Sequence, residues 1–178
     1  MRLNERIKQI RQKLSQEHSL NMLALPQIIK VTINVGIGDY KDSKEMCETI
    51  EKEFKLIVGQ KPRTTSAKVS ISSFKTRKGE KIGYSATLRG RRMWDFIERL
   101  TSVVLPRRRD FSGIAITSFD TNNNLSFGIA DQSVFPEIDP NEIKFNWGMG
   151  VVITCKNAND KELVREYLKE VGFIFKSN

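Results

Sequence analysis

Ten lysines and arginines fall between residues 61 and 92 (Lys61, Arg63, Lys68, Lys75, Arg77, Lys78, Lys81, Arg89, Arg91 and Arg92), against one acid, Glu80. Cations at that density suit one task above others, the neutralisation of a polyanion with release of its counterions. A further run, Arg107-Arg108-Arg109, either contacts phosphate as well or complements the end of the preceding helix through its dipole. Residues 130–178 lean the other way, with eight acids and six bases. The net charge of +9 is therefore concentrated in the middle of the chain, which favours a nucleic-acid face over a uniformly solvated basic surface.

Residues for bond-making chemistry are sparse. His18 is the single histidine, so a His-based zinc site or a histidine-dependent triad has almost nothing to build on. Cys47 and Cys155 are isolated thiols without C-x-x-C spacing, as expected in a reducing compartment with no disulfide framework. Gly36-Ile37-Gly38-Asp39-Tyr40-Lys41 follows an apolar run and imitates a dinucleotide fingerprint, but Lys41 stands where the third glycine belongs. Two glycines making a turn is the simpler reading.

The elements that must position these residues follow from periodicity. With 39% hydrophobic and 29% charged residues over 178 positions, the chain can bury a core, and no apolar run reaches the ~20 residues of a membrane span. Its N-terminus mixes charge with apolar residues and lacks the continuous stretch of a secretory signal; Glu5 and Glu17 argue against a transit peptide. Leu3, Ile7, Ile10 and Leu14 predict an amphipathic helix over 2–16. Val31, Ile33 and Val35 alternate with polar residues as a half-buried strand. Asp42 and Glu45 read as a capping box for a helix along Met46, Ile50, Phe54 and Ile57, stopped by Gly59. A second strand covers GYSATLR, and a helix with Met93, Ile97, Leu100 and Val104 ends at Pro106. Residues 114–129 read as a hairpin tipped by Asn122-Asn123-Asn124, residues 151–155 as a last strand, and the final helix as capped by Asn159. Phe111, Phe119, Phe127, Phe135 and Trp147 are core candidates.

These elements predict an α+β fold: a twisted antiparallel sheet with helices packed on one face, plus a long basic loop and a hairpin extension. The chain is expected to form one domain over 1–178, with a basic, mobile loop at about 66–82. Such a loop reads either as a solvated excursion or as an arm that reaches phosphates and orders on RNA. The polar sheet face offers Thr32, Asn34, Ser85, Thr87 and Arg89, mostly neutral groups that both donate and accept. They suit ribose 2′-hydroxyls and base edges of an RNA minor groove, though an ordinary solvated face fits the same pattern. Lys81-Ile82-Gly83-Tyr84 does not match the aromatic signature of an RNA-recognition motif, so base stacking on the sheet is disfavoured.

The strings KVTINVGIGD (30–39), GQKPRTT (59–65), TLRGRRMWDFIERL (87–100), PRRRDFSGI (106–114) and FPEID (135–139) occur in order along most of the chain. Together they resemble the bacterial and organellar family of ribosomal protein number five of the large subunit. The resemblance implies a non-catalytic structural protein of the large subunit, binding 5S rRNA and adjacent large-subunit rRNA in the central protuberance. It implies contacts with peptidyl-site tRNA through the basic loop, with neighbouring large-subunit proteins, and with a small-subunit head protein across an intersubunit bridge. It maps the 5S-contacting polar residues onto Asn34, Gln60 and Thr87. Ser112, Gly150, Cys155 and Ile174 depart from residues common in the family.

The expected 5S rRNA site is thus Asn34, Gln60, Lys61, Thr87 and Arg89. The tRNA-contacting loop is Lys68, Lys75, Arg77, Lys78 and Lys81, and further phosphate contacts are Arg91, Arg92, Arg107, Arg108 and Arg109. No catalytic residue, metal or cofactor is expected, nor any membrane, and the protein is placed on ribosomes of the cytoplasm or of an organelle. Two competing classes remain. A nucleotide-dependent enzyme built on the Gly36–Gly38 turn would be stabilised against heat by a dinucleotide. A free RNA-binding regulator would not co-sediment with large subunits.

Overall fold

The computed structural model describes residues 3–40, 43–108 and 111–176. Its elements run α1 (Leu3–Glu17), β1 (Gln27–Gly36), α2 (Lys44–Val58), β2 (Arg63–Ser66), β3 (Lys81–Leu88), α3 (Gly90–Arg99), α4 (Leu105–Arg107), β4 (Leu125–Ile129), β5 (Met149–Lys156) and α5 (Lys161–Val171). The strands form one antiparallel sheet in the order β2-β3-β1-β5-β4, so the expected α+β class is what the chain adopts. Along β1, Val31, Ile33 and Val35 are buried while Asn34 and Gly36 are exposed. In β5, Met149, Val151, Ile153 and Cys155 are buried in the same alternation. In both of these strands one face is covered and the other open, which the period of two dictates.

The residues group into two compact units, one of residues 1–31, 88–127 and 152–178, the other of 32–87 and 128–151. In the first, α1 packs on α3 and α5, with Ile7, Ile10 and Leu14 buried; Leu3's side chain lies outside what is described. The helix begun at Gly90 does not stop before Pro106. It widens into a π-helical turn over Leu100–Val104, where the Leu105 amide donates to the Leu100 carbonyl, and then continues through Arg107. Proline lacks the amide that an α-helical bond to Ser102 would need, so the wider turn carries the chain past it. The final helix is capped by Asp160 and not Asn159: the Asp160 carboxylate accepts from the Glu162 amide at 2.9 Å.

The expected hairpin over 114–129 is reduced to β4 and an isolated bridge between Phe119 and Leu125. Two competing sets of bonds explain this. The Asp120 carboxylate accepts from the Asn122 and Asn124 amides and the Asn124 side chain, closing a tight loop on itself. Ile114, meanwhile, pairs with the C-terminal segment: its amide donates to Ile174 and its carbonyl accepts from Lys176.

In the second unit, α2 starts at a Ser43 cap accepting from Met46, while Asp42 lies outside the described residues; Gly59 stops the helix at φ 71° as expected. Phe54 meets Trp147 edge-on at 6.3 Å, and the indole N–H donates to Glu53 at 2.6 Å. Gln132 is fully buried yet satisfied, its amide donating to the Phe145 carbonyl and accepting from the Trp147 amide. Phe119, Phe135 and Trp147 are core residues as expected; Phe111 and Phe127 are only half-buried.

Burial pushes the Cys155 thiol up to about 12. The unfolded chain therefore gives up this proton first, and stability falls as pH rises past about 9, the thiol's ordinary value. A maleimide at pH 8 is expected to label Cys155 only at the rate of unfolding. Labelling in native buffer at the rate of a free thiol would show that this strand face is open.

Candidate nucleic-acid interface

Four of the five residues expected to hold 5S rRNA lie in the second unit, on or beside β1 and β3. Asn34 and Thr87 are exposed on the open sheet face, flanked by half-buried Thr32 and Ser85. Gln60, which follows the stop of α2, donates its side-chain amide to the Thr87 carbonyl at 3.2 Å. That bond ties the GQKP turn to the strand edge and aligns Gln60, Lys61 and Thr87 as neighbours. Lys61 is exposed. Gly150 lies on the open side of β5, where an added Cβ would stand 4.0 Å from the Asn34 carbonyl; with no side chain, it leaves that approach clear.

β2 enlarges this face. Its four residues are all exposed, and its register sets Arg63 opposite Ser85 and Thr65 opposite Gly83. Cross-strand partners share a face, so Arg63 joins Ser85 and Thr87 on the open side. From the sequence Arg63 registers only as charge. The run Arg63-Thr64-Thr65, with two β-branched residues, is the strand signal that could have placed it.

The arm between β2 and β3 has built structure. Ile71 and Thr76 exchange both backbone bonds at 3.1 Å, flanking a 3-10 turn at Ser72–Phe74. Nearer its base the Ala67 amide donates to Glu80 and the Gly79 amide to Ala67, each at 2.9 Å. Lys68, Lys75, Arg77 and Lys78 are exposed on it. Lys81 belongs instead to β3, paired with Ser66 and lining a cleft with Cys47, Glu48, Glu51 and Tyr84. In that cleft burial, then the nearby Glu51, pushes the Tyr84 phenol up to about 12, so it stays neutral and donates to the Cys47 carbonyl.

The remaining arginines belong to the first unit. Arg89, Arg91 and Arg92 are exposed around the start of α3, whose first turn carries no acid. Positive charge at a helix N-terminus opposes the macrodipole, so this end is electrostatically short of anions. Arg91 makes a long contact with Asp95, at 3.8 Å. Arg107 is exposed, and Arg108 is half-buried with its guanidinium 5.6 Å from the Phe111 ring centre. Arg109 lies outside the described residues.

The Gly36–Gly38 turn leads into a 3-10 turn at Gly38–Tyr40, and α2 begins only at Lys44. A dinucleotide turn needs the helix N-terminus directly behind the glycines, aimed at the pyrophosphate. Among the described residues that arrangement is absent. Among the described residues no cluster of His, Cys, Asp or Glu could hold a metal ion, and no helix is long and apolar enough to cross a membrane.

The second unit thus presents an open polar sheet face and a basic arm, and the first unit an arginine-rich helix start. Comparison with known proteins supplies the family. A family model for the C-terminus of the ribosomal L5 family matches residues 81–175, and one described as "Ribosomal protein L5" matches residues 21–77. The chain is 42% identical over 171 residues to the "Large ribosomal subunit protein uL5" of Saccharopolyspora erythraea, covering 96% of this chain and 91% of that one. It is 44% identical over 170 residues to the protein of the same name from Thermosipho melanesiensis, covering 95% and 93%. The chain belongs to the ribosomal protein L5 family, a family of large-subunit ribosomal proteins and not of enzymes.

Proposed function

We propose that this protein is a structural constituent of the large ribosomal subunit that seats 5S rRNA on its open sheet face. The observation that carries the reading is the convergence of Asn34, Gln60 and Thr87. The family resemblance selects all three and the polar-face argument selects Asn34 and Thr87 independently, while the Gln60–Thr87 bond brings the third beside them. Neutral amides and hydroxyls serve ribose hydroxyls and base edges, while Lys61, Arg63 and Arg89 supply phosphate contacts. Arg91, Arg92, Arg107 and Arg108 face adjacent large-subunit rRNA of the central protuberance. The arm bearing Lys68, Lys75, Arg77 and Lys78 reaches peptidyl-site tRNA, and a small-subunit head protein completes the partners across an intersubunit bridge.

The test is binding to 5S rRNA, titrated with salt and competed with bulk tRNA. Wild-type binding is expected to survive the competitor. Asn34→Ala with Thr87→Ala is expected to weaken it roughly tenfold to a hundredfold without changing its salt slope, since neither residue neutralises phosphate. Competition by tRNA together with indifference to both substitutions would reduce the face to a generic basic surface.

A further inference from the structure

The arm carries an apolar feature that phosphate binding leaves unused. Val69, Ile71 and Phe74 are 67%, 46% and 72% exposed, and with Ala67, Thr76 and Ile82 they line an open cavity of about 400 Å³. Three large apolar side chains at the tip of a polar arm are costly to leave in water, and a contiguous patch of this kind marks a surface that another molecule covers. The patch is held in shape by the Ile71–Thr76 bonds and by the Lys78 amide donating to the Ser70 hydroxyl at 2.9 Å. It is preorganised and does not need to form on contact.

Charge identifies the occupant. Lys68 lines the cavity, exposed Lys75, Arg77 and Lys78 stand on the same arm, and the carboxylate of the arm's one acid, Glu80, accepts from the Arg77 amide at 2.7 Å. An apolar hollow on a cationic arm fits a polyanion whose repeating unit carries a flat apolar face. Nucleotides have that chemistry, and unstacked bases of folded RNA are held by aromatic side chains in the same way. A lipid surface is met by a convex or helical apolar face, whereas a concave seat takes one discrete flat group.

We propose that the arm seats an unstacked nucleobase of folded RNA against Phe74, Val69 and Ile71 while the arm's cations hold its phosphates. This rests on reading the arm as an RNA contact. The test measures affinity of the full chain for folded tRNA, and for a plain RNA duplex, across a range of salt. Phe74→Ala is expected to weaken tRNA binding roughly 5- to 150-fold at every salt concentration with the slope unchanged. Phe74→Tyr should restore it, and duplex binding should not respond. Lys78→Gln should instead lower the salt slope by about 0.7–0.9. If Lys78→Gln acts as expected and Phe74→Ala does nothing, the arm binds RNA through charge alone and the seat is wrong. If neither variant acts, the arm reading fails together with the seat. If Phe74→Ala spares tRNA but weakens an acidic, aromatic-bearing peptide, the occupant is a protein and the inference falls.

Discussion

Gly83→Ala is expected to lower stability by roughly 2–4 kcal/mol and to remove 5S rRNA binding with it. A Cβ at Gly83 would sit 2.5 Å from the carbonyl oxygen of Val35 and 3.6 Å from its carbonyl carbon. Both are backbone atoms of β1, so no side chain can swing aside, and relief requires the two strands to part. The sequence-distant bond beside them, from the Ile37 amide to the Ile82 carbonyl at 3.0 Å, would be lost in that movement. Asn34 and Thr87 lie on these same two strands, which couples the stability loss to the proposed RNA seat. Gly128→Ala is the control: nothing lies within 4 Å of its added methyl, and stability should change by less than about 1 kcal/mol. Denaturant titration of both variants decides the matter; a Gly83→Ala protein as stable as wild type would mean that the strand separation adjusts freely.

Replacing Lys68, Lys75, Arg77 and Lys78 together with glutamine is expected to reduce tRNA affinity roughly a hundredfold at moderate salt, with the slope of log K against log salt reduced by about 3. Binding to 5S rRNA should change by less than about threefold, because Asn34, Gln60 and Thr87 lie on the sheet and turn and not on the arm. The arm should keep its shape, since backbone bonds of Ala67, Ile71, Thr76, Gly79 and Glu80 hold it. Filter binding across a range of salt, with circular dichroism as the folding check, gives both answers. A comparable loss for 5S rRNA would sink the division of labour between sheet and arm.

Much of the fold is legible in the sequence because it is local. Alternation at Val31, Ile33 and Val35 and again at Tyr84, Ala86 and Leu88 marks strands with one open face. Ile50, Phe54 and Ile57 with Gly59 mark a helix and its stop. The caps of α2 and α5 each fall one residue beyond the expected position, at Ser43 and Asp160. Asp, Asn and Ser compete for a cap in consecutive places, and only backbone geometry chooses among them. Pro106 carries the pattern of a helix stop, yet a π-helical turn lets the helix pass it.

The α+β class, the basic middle third, the polar strand face and the family were all set down in the chain before folding, since composition, short-period patterning and ordered motifs are properties of neighbouring residues. Folding alone chose which distant residues became neighbours. It set Arg63 opposite Ser85, joined Gln60 to Thr87 across 27 positions, took Ile114 to the C-terminal segment in place of a hairpin, and gathered Val69, Ile71 and Phe74 around one hollow. Register and closure are settled by long-range backbone bonds and shared burial, whose partners are not encoded in the local period of the chain.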